Sequence, residues 1–598
     1  MSRTVGDALC DRLIEWDVRT IYGFPGDGIN GFLGAIARQE DNFRFVQTRH
    51  EEMAAFMACA HAKFTGDVGV CMATSGPGAV HLLNGLYDAK LDHQPVVAIV
   101  GQTFVRALGG DFQQEINLLQ LFSDVAGSYC QQVNTPSALT HTIDRALRIA
   151  KAERTVTCVI LPADVQDMEA VEPPMKTHTI HTGVGYWAPR VLPARVDLAR
   201  AAEILNAGER VAMLVGAGAQ GASAEVMAVA ERLGAGVAKA LLGKAVLPDD
   251  LPYCTGSIGL LGTQPSWDMM READTLLMVG SSFPYSEFLP PLGQAKAIQI
   301  DLSPRMLSIR YPMDLALAGD AKATLEELLP MLVAKNDRSW RSQIEKNVVE
   351  WWKWMDDLAK PGEVEGRLRP QCLFESLSRH LPDNAVLSAD SGTSADWYAR
   401  HVRLRSGMKA SLSGNLATMG PGVPYAIGAK FAFPDRVAVA MVGDGAMQMG
   451  GMAEMLTAAK YYKTWLDPRL VVLVLNNEDL NQVTWEQRAM EGNPRFAASQ
   501  SVPALSYAKW AELIGLVGLR VESPDQIEDA MAAAFAADRP VIIDAVTTPE
   551  EAPLPPHITF EQVHAMTKSV LADPSDGLAG AKEAIVERLR GVASHLHS

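Results

Sequence analysis

Residues 437–477 read VAVAMVGDGAMQMGGMAEMLTAAKYYKTWLDPRLVVLVLNN, and this stretch decides the fold of the chain. Its two apolar runs, residues 437–442 and 470–475, have the length and composition of strands buried on both faces. The motif GDG at 443–445 predicts a tight turn between them, and residues 447–462 have helical periodicity. The stretch therefore predicts a strand, turn, helix and strand of a parallel α/β sheet.

Asp444 follows the first of these predicted strands, and Asn477 follows the second. Ligands of open parallel sheets bind at the carboxyl ends of the strands, so both side chains are expected at a ligand site. Carboxylate and amide oxygens suit Mg²⁺, and glycines beside helix N-terminal amides suit a diphosphate. From these residues alone, an ordinary strand–helix turn with an asparagine at a strand end remains the alternative.

A second candidate site lies early in the chain, where strands and helices also alternate. The predicted strand 43–47 runs into RHEE at 49–52, and the predicted strand 68–73 runs into TSGPGA at 74–79. Glu51 therefore stands where a strand gives way to a helix. An acid in the first turn of a helix also stabilises the helix dipole, so this position has a purely structural explanation as well.

RHEE and TSGPGA, followed by GDG and then by Asn477 at 33 residues (477 minus 444) after Asp444, resemble the signatures of thiamine diphosphate enzymes. The resemblance covers almost the whole chain and implies an α/β fold with three doubly wound parallel-sheet domains. These are a pyrimidine-binding domain, a central flavin-type domain, and a diphosphate- and magnesium-binding domain, followed by a C-terminal extension with a helical tail. The expected ranges are 1–180, 190–345, 365–548 and 549–598. Residues 169–195 and 359–371 are expected to be the first and second linkers between the sheet domains.

The resemblance implies a role for each of these candidate residues. Asp444, Asn477 and the main-chain carbonyl of Asp479 would hold Mg²⁺. Glu51 would hydrogen-bond N1′ of the cofactor's aminopyrimidine, which favours the imino form that takes the proton from thiazolium C2. Gln114, in a loop at the substrate and flavin end of the pocket, is the second predicted catalytic residue.

Further residues are expected around two cofactors by the same resemblance. The thiamine diphosphate set comprises Glu51, Ser75, Gly76, Pro77, Gly392, Thr393, Ser394, Ala417, Thr418, Met419, Asp444, Gly445, Ala446 and Asn477. The FAD set comprises Ile258, Gly259, Leu260, Leu261, Ser281, Ser282, Phe283, Pro284, Tyr285 and Asp301. The central domain also occurs without flavin in this family, so a flavin-free protein is the alternative. The GxGxxG at 216–221 has no acid about twenty residues on, which excludes a standard NAD site.

Within the family, the central motifs and the C-terminal extension are most similar to quinone-linked pyruvate oxidases. This similarity implies decarboxylation of a 2-keto acid, pyruvate first, with oxidation of the two-carbon intermediate through FAD to acetate and carbon dioxide. Carboligation as in acetolactate synthases and carbon–carbon hydrolysis of a cyclic dione are the alternatives. Gln482 stands where the quinone-linked oxidases carry an aromatic residue near the flavin, which weighs against the oxidase.

Net charge and cysteine content indicate which kinds of partner and which cellular compartment are expected. The net charge of −17 argues against nucleic-acid binding. Seven scattered cysteines without a CxxC motif fit buried thiols in a reducing cytoplasm. In the family, the carboxylate of the pyrimidine domain and the metal ligands serve one site from different chains, so a homo-oligomer is expected, most simply a dimer of dimers.

The C-terminal tail carries an apolar stripe at helical spacing, formed by Ile585, Leu589, Val592 and Leu596. Such a helix either docks on the protein's own surface or lies on membrane lipid. The accompanying basic residues are few and acids stand among them, which favours docking. Peripheral contact with a quinone at the inner face of the membrane is the alternative implied by the quinone-linked oxidases.

Overall fold

The computed structural model describes residues 3–573 and, in the tail, residues 582, 585, 586, 589, 591 and 593. Three six-stranded sheets follow one another along the chain. Every pair of neighbouring strands within these sheets is parallel. Helices connect successive strands, as parallel pairing requires. The predicted fold class is confirmed, whereas the domain boundaries stay predictions.

The strands of the first sheet are β1 (Thr20–Gly23), β2 (Arg44–Gln47), β3 (Gly69–Ala73), β4 (Val96–Gln102), β5 (Cys130–Gln132) and β6 (Val156–Pro162). They lie side by side in the order β2-β1-β3-β4-β6-β5. β3, β4 and β6 are buried along their whole length, which is why they read as continuous apolar runs. The α-helices of this region are Val5–Glu15, Asn30–Arg38, Glu51–Thr65, Pro77–His81, Leu83–Leu91, Leu118–Leu121, Leu139–Glu153 and Ala163–Asp167.

The strands of the second sheet are β7 (Val211–Val215), β8 (Gly236–Lys239), β9 (Cys254–Ser257), β10 (Thr275–Val279), β11 (Lys296–Asp301) and β12 (Leu315–Ala318). Their order is β12-β11-β10-β7-β8-β9, so the chain starts in the middle of the sheet and builds outward. The α-helices of this region are Arg195–Ala207, Ser223–Leu233, Gln264–Glu272, Ala321–Leu328 and the long Ser339–Leu358.

Residues 359–371, predicted as a plain linker, contain a short antiparallel hairpin of β13 (Glu363–Val364) and β14 (Arg367–Leu368). Glu365 and Gly366 connect the two strands with φ values of +55° and +72°. Two consecutive positive φ values are typical of a type I′ turn, whose twist matches that of a two-residue hairpin. The linker is therefore structured, and it ends directly before the third sheet.

The strands of the third sheet are β15 (Val386–Ala389), β16 (Lys409–Ser411), β17 (Ala438–Gly443), β18 (Leu470–Asn476), β19 (Val517–Val521) and β20 (Val541–Val546). Their order is β16-β15-β17-β18-β20-β19. The α-helices are Pro370–His380, Thr393–His401, Gly422–Ala432, Asp444–Ala446, Met452–Tyr461, Asn481–Met490, Ala497–Gln500, Tyr507–Leu513, Ile527–Ala536 and, in the extension, Phe560–Ala572.

The stretch quoted at the outset forms β17, a helical segment and β18, with one difference from the prediction. The helical segment begins at Asp444 itself and not at residue 447, because Gly443 is the residue before its first turn. A π-helical turn, Met447–Gly451, interrupts it before the regular helix Met452–Tyr461. Such turns are frequent at functional sites, and this one begins three residues (447 minus 444) after a predicted metal ligand.

Within one chain, the first and third sheets are joined by a buried pair of helices. Glu51–Thr65 packs against Gly422–Ala432, and both are buried on nearly all sides. Lys63 of the first helix bonds the carboxylate of Asp92 at 2.7 Å and the main-chain carbonyl of Leu412 at 2.6 Å. The two regions that carry the predicted thiamine residues are therefore one packed unit.

The C-terminal extension packs on the helix Asn481–Met490, which follows β18. Arg488 of that helix is fully buried and donates to the carboxylates of Glu550 (2.9 Å) and Asp573 (3.1 Å). Ile585 and Leu589 are buried in one apolar cluster with Trp485 of that helix, so these two residues of the predicted stripe dock on the protein's own surface. Val592 and Leu596 lie outside the described residues. Among the described helices, none has the length and apolar character needed to span a bilayer.

Replacing Arg488 by methionine is expected to lower the free energy of unfolding by about 3–5 kcal/mol, since it removes the shared cation of two buried carboxylates. The measurement is urea unfolding followed by tryptophan fluorescence. Arg539→Met, which removes a partly exposed arginine paired with its neighbour Asp538, is the matched control and should cost far less, because exposed ion pairs contribute little to stability. Equal losses in the two variants would contradict the prediction.

Candidate active site

Four loops of the third sheet leave neighbouring strands at one edge and carry the predicted thiamine residues. They are the loops after β16, β15, β17 and β18, in their order across the sheet. Asp444 and Asn477 follow the adjacent strands β17 and β18. One carboxylate oxygen of Asp444 accepts from the N–H of Glu478 at 2.5 Å, and the other accepts from the N–H of Gly445 at 2.8 Å. The two predicted ligand loops are thus tied together.

The charge balance around Asp444 fits a divalent cation. Burial raises the pKa of this carboxyl to about 7, and the nearby Asp479 adds to the effect. A buried carboxylate is costly unless a positive charge compensates it. The carboxylate of Asp479 is itself paired with Arg495 at 2.7 Å, which leaves its main-chain carbonyl as the group suited to a metal. Mg²⁺, with oxygen ligands from Asp444, Asn477 and this carbonyl, suits the donor set.

The same edge contains open space where a diphosphate would need it. Gly392 lies in the loop after β15, and Gly443 is the last residue of β17. No described atom beyond the adjoining residues lies within 4 Å of where a β-carbon on either would stand. Gly392 has a φ of +114°, which favours glycine. Helices begin directly after each glycine, at Thr393 and Asp444, and Ser394 lies in the first turn of the former. Helix N-termini beside open glycines suit a bound diphosphate.

Met419 and its neighbours lie on one side of the carboxyl edge of the third sheet. The Met419 side chain lies against the GDG turn, since its Cε is 3.4 Å from where a β-carbon on Gly445 would stand. Ala446 is buried in the helix behind that turn. The hydroxyl of Ser391 donates to the main-chain carbonyl of Thr418 at 2.8 Å, so the loops after β15 and β16 are held together.

Asp390 is a residue of this edge that the sequence prediction did not single out. Its carboxylate accepts from the N–H groups of Gly420 (2.9 Å) and Gly422 (2.8 Å), and its burial raises its pKa to about 6. It fixes the loop that carries Ala417, Thr418 and Met419. Its position directly before Ser391-Gly392, at a strand end, was the available signal.

Three predicted site segments contain a non-glycine residue with positive φ. These residues are Gln114 (+63°), Ala417 (+51°) and Glu478 (+58°), which lies between Asn477 and Asp479. Such conformations cost energy and persist where the surrounding structure enforces them, often at functional sites. Arg367 of the hairpin bonds Glu478 at 3.1 Å and so supports the segment between the two predicted metal ligands.

The predicted residues of the pyrimidine-binding region lie at the carboxyl edge of the first sheet. Glu51 is the first residue of helix Glu51–Thr65, and His50 caps that helix. The Glu51 carboxylate is almost buried; one oxygen lies 2.9 Å from Nδ1 of His81. The other oxygen is 3.0 Å from where a β-carbon on Gly78 would stand, so only glycine leaves room for it.

Gln114 reaches the turn after β3. The Ser75 hydroxyl donates to the Gln114 side-chain oxygen at 3.0 Å. Gly76 has a φ of +61°, and a β-carbon there would stand 2.8 Å from that of Gln114. Pro77 follows as the first residue of helix Pro77–His81. The structure therefore brings the predicted residues of TSGPGA and Gln114 together, beside Glu51.

Two contacts that the sequence did not reveal link the halves within one chain. The Asn84 amide donates to Glu52 (2.5 Å) and to the hydroxyl of Thr418 (3.0 Å). Glu454, after the π-helical turn, accepts from the main-chain N–H of Arg49 at 3.1 Å. Both contacts join residues more than 300 positions apart, and no local pattern marks them.

Replacing Glu454 by glutamine is expected to stabilise the protein at pH 8 and to leave it unchanged near pH 5. Burial raises the pKa of Glu454 to about 7, above its value in the unfolded chain. The native state therefore binds more protons, and stability falls as pH rises from about 4.5 to 7 by at most about 3 kcal/mol. Glutamine does not titrate, so the variant should lack this dependence of stability on pH. Thermal unfolding at pH 5 and pH 8 measures the difference, with the exposed Glu512→Gln as control.

The edge of the second sheet carries the predicted FAD residues in the loops after β9, β10 and β11. Gly259, with a φ of +107°, lies against the ring of Phe283. The described side chains divide into buried Ile258, Ser281 and Phe283, partly exposed Leu261, Ser282 and Asp301, and exposed Leu260, Pro284 and Tyr285. Apolar and aromatic groups with one carboxylate suit a flavin nucleotide with its ribose hydroxyls. The structure brings these residues to one edge.

The glycines of GxGxxG serve the fold of this sheet. A β-carbon on Gly216 would stand 2.4 Å from the carbonyl of Gly280, and one on Gly218 would stand 2.8 Å from its Cα. Only glycine therefore allows this close approach of the neighbouring main chain.

Comparison with known protein families shows to which family the chain belongs. Residues 3–121 match the N-terminal TPP binding domain of thiamine pyrophosphate enzymes, residues 198–328 match their central domain, and residues 390–545 match their C-terminal TPP binding domain. The chain belongs to the thiamine pyrophosphate enzymes. All three matches fall on the three parallel sheets, in the order that the motifs predicted.

Individual relatives have different names. The Bacillus subtilis protein YdaP, named for its content of thiamine pyrophosphate, is 35% identical over 95% of this chain and 96% of its own length. A pyruvate oxidase of Lactiplantibacillus plantarum is 30% identical over 92% and 89%. An acetolactate synthase large subunit of Haemophilus influenzae is 28% identical over 94% and 96%. YdaP exceeds the oxidase in identity, so the expected special closeness to quinone-linked oxidases is not borne out.

Proposed function

We propose that this thiamine pyrophosphate enzyme decarboxylates pyruvate and oxidises the two-carbon product through FAD to acetate, with release of carbon dioxide. The observation that carries the proposal is the position of Arg400, in the helix Thr393–His401 that follows the candidate diphosphate turn. Its guanidinium donates to the main-chain carbonyls of Leu260 and Gly262, both at 3.1 Å. This contact supports oxidation through FAD, because electron transfer requires neighbouring cofactor sites.

The chain's own residues would bind and orient the reactants. Thiamine diphosphate, when bound, supplies a nucleophilic carbon and an electron sink for decarboxylation. Asp444, Asn477 and the carbonyl of Asp479 would hold the Mg²⁺ that neutralises its diphosphate. Glu51 would hold a proton at the aminopyrimidine nitrogen N1′. Gln114, fixed by its bond from Ser75, would orient the keto acid.

Carboligation to acetolactate is the second candidate, and Gln482 favours it. Its amide donates to Glu486 at 3.0 Å, one turn further along helix Asn481–Met490. A polar pair stands where the quinone-linked oxidases carry an aromatic residue. The acetolactate synthase among the relatives supports the same alternative.

An absorbance spectrum of the purified protein, followed by anaerobic addition of pyruvate with thiamine diphosphate and Mg²⁺, tests the proposal. The expected result is a flavin band that bleaches as acetate forms. A flavin band that stays oxidised while acetolactate accumulates would replace the oxidase by the synthase. Turnover with neither flavin nor pyruvate, but with another 2-keto acid or a cyclic dione, would overturn both. Electron transfer to a membrane quinone stays a prediction.

We further propose that Glu51 and Asp444 serve one site from different chains of a homo-oligomer. Large apolar side chains are exposed around the Glu51 half, among them Val80, Phe112 and Leu119. Exposed apolar patches mark interaction surfaces, and a second copy of the chain would bring its metal edge to this half.

Mixing two inactive variants tests the shared site. In a hybrid of Glu51→Gln and Asp444→Asn chains, one site would combine the intact Glu51 of one chain with the intact Asp444 of the other. Co-refolded hybrids are therefore expected to regain activity, although neither parent has it. If each site is built from one chain, every site keeps a lesion and the mixture stays inactive.

A further inference from the structure

Two imidazoles and one carboxylate converge at the start of helix Glu51–Thr65. Nδ1 of His81 lies 2.9 Å from the Glu51 carboxylate, and the rings of His50 and His81 are stacked with centroids 4.3 Å apart. One ligand atom of each residue lies within 4.8 Å of those of the other two. In the part of the chain that the structure describes, this is the one group of at least three histidine, cysteine or acidic side chains at such spacing.

We propose that His50, Glu51 and His81 form a binding site for a first-row transition-metal ion such as Zn²⁺, and that this ion competes with the thiamine cofactor for Glu51. Two histidines and a glutamate, with a fourth position left for water, are a ligand set of catalytic zinc sites. Imidazole suits Zn²⁺, Cu²⁺ and Ni²⁺. Mg²⁺ prefers oxygen ligands alone and would keep to Asp444 and Asn477.

The geometry needs only small movements to close around an ion. Zinc bonds to nitrogen and oxygen of about 2.0–2.2 Å place tetrahedral ligand atoms roughly 3.3–3.5 Å apart. The His81–Glu51 pair is already closer than this, and the remaining separations are at most 4.8 Å. Nδ1 of His50 accepts a hydrogen bond from the N–H of Glu52 at 3.3 Å. Because a metal-ligating imidazole donates from its other ring nitrogen, ligation through Nε2 would require this long bond to open.

The site is open in the single chain, and in the proposed homo-oligomer its opening would face the cofactor cleft, so that an ion would enter when the cofactor is absent. The side chains of His50 and His81 are each 43% exposed, whereas that of Glu51 is 9% exposed. The two imidazoles thus form the mouth of the site, and the carboxylate forms its floor. Metal binding requires an unprotonated nitrogen on each ligating imidazole and an ionised carboxylate, so the affinity for the metal would depend on pH.

The competition part of this inference rests on the proposed function, because it requires Glu51 to bind the aminopyrimidine. A metal-bound carboxylate is deprotonated and therefore cannot hold the proton for N1′ of the cofactor. Transition-metal ions would then inhibit by preventing productive cofactor binding, at a place separate from the Mg²⁺ ligands. The metal-binding part requires only the three side chains.

Calorimetric titration of the metal-stripped full-length protein with ZnCl₂, in excess Mg²⁺, tests the site. We expect one Zn²⁺ per chain, with an affinity at least tenfold weaker in the double variant His50→Gln/His81→Gln. The matched control, His564→Gln, changes an exposed histidine on helix Phe560–Ala572 and should bind as the original does. Co²⁺ should give the visible absorption band of tetrahedral coordination. Equal affinity in the double variant, or displacement of Zn²⁺ by Mg²⁺, would overturn the proposal.

Thiamine diphosphate titrations with and without Zn²⁺ separate the two parts. The apparent cofactor affinity should fall at least tenfold with Zn²⁺ in the original protein and remain unchanged in the double variant. Zinc binding without any effect on the cofactor would keep the metal site and refute the role of Glu51 in cofactor binding. Circular dichroism checks that the double variant folds. If it does not fold, Glu51→Gln is titrated with Zn²⁺ alone instead, and it should show the same loss of zinc affinity.

Discussion

Replacing Asp444 by asparagine is expected to lower kcat/KM by about a thousandfold or more and to abolish the rise in Tm that Mg²⁺ and thiamine diphosphate produce. The substitution removes the only charge that the predicted metal ligands contribute. A metal ion typically supplies several kcal/mol of charge stabilisation, and each 1.36 kcal/mol corresponds to about tenfold in rate. Calorimetry with the cofactor and thermal unfolding with and without Mg²⁺ measure both effects.

The stability of the metal-free variant separates loss of metal from loss of fold. Burial raises the pKa of Asp444 to about 7, so at pH 8 the metal-free protein carries a buried carboxylate at a cost. Asparagine carries no such charge, and metal-free Asp444→Asn should unfold at a Tm no lower than that of the metal-free original. An unfolded variant would refute this explanation.

Asp479→Asn is the matched control, because the predicted ligand there is the main-chain carbonyl. Its carboxylate is paired with Arg495 and accepts from the amide of Asn481. The variant should therefore keep the Mg²⁺-dependent rise in Tm and lose stability only through these two contacts. A loss of Mg²⁺ response as complete as that of Asp444→Asn would mean that the Asp479 side chain is the ligand.

The sequence predicts the metal edge well because its signals are local. Continuous apolar runs of six residues predict fully buried strands, and the polar or glycine residue after each run, Gly443 and Asn476, marks where the run ends. Asp444 and Asn477 follow two such runs. Since β17 and β18 are neighbours in the sheet, residues 33 positions apart (477 minus 444) meet at one edge. The same reasoning places Glu51 beside the turn after β3.

Contacts between distant segments could not be predicted in this way. Asn84 reaches Thr418, and Glu454 reaches Arg49, because helix Glu51–Thr65 packs on Gly422–Ala432. One sequence contains no record of that packing. The ion pairs of Arg488 with Glu550 and Asp573 are equally remote from any motif.

Two local features were within reach and were missed. Glu365-Gly366 in the second linker is a turn pair of the kind that joins two short strands, and the structure has a hairpin there. The helix after β17 was expected to begin at residue 447, because the glycines of GDG were assigned to a turn. Gly443 instead precedes the first helical residue, Asp444, and the π-helical turn Met447–Gly451 lies within the helical segment that follows.

Replacing Glu51 by glutamine is expected to lower kcat by about 10²–10⁴-fold, the range for loss of a general acid–base group, while the cofactor still binds. Glutamine has nearly the same shape, so the space beside Gly78 and the contact with His81 can remain. It cannot hold a proton for N1′. Exchange of the C2 proton of the bound cofactor, followed by NMR in deuterated water, should slow in parallel with kcat.

The adjacent Glu52→Gln variant separates catalysis from helix capping. Both acids lie in the first turn of helix Glu51–Thr65 and interact equally well with its dipole, but the Glu52 carboxylate bonds Asn84 and not His81. If Glu51 is only a capping acid, the two variants should lose similar, small amounts of stability and keep kcat. If it is the cofactor's partner, only Glu51→Gln slows C2 exchange. Because the two residues carry the same charge and lie in the same turn of one helix, this difference separates the chemistry of the Glu51 carboxylate from its structural contribution.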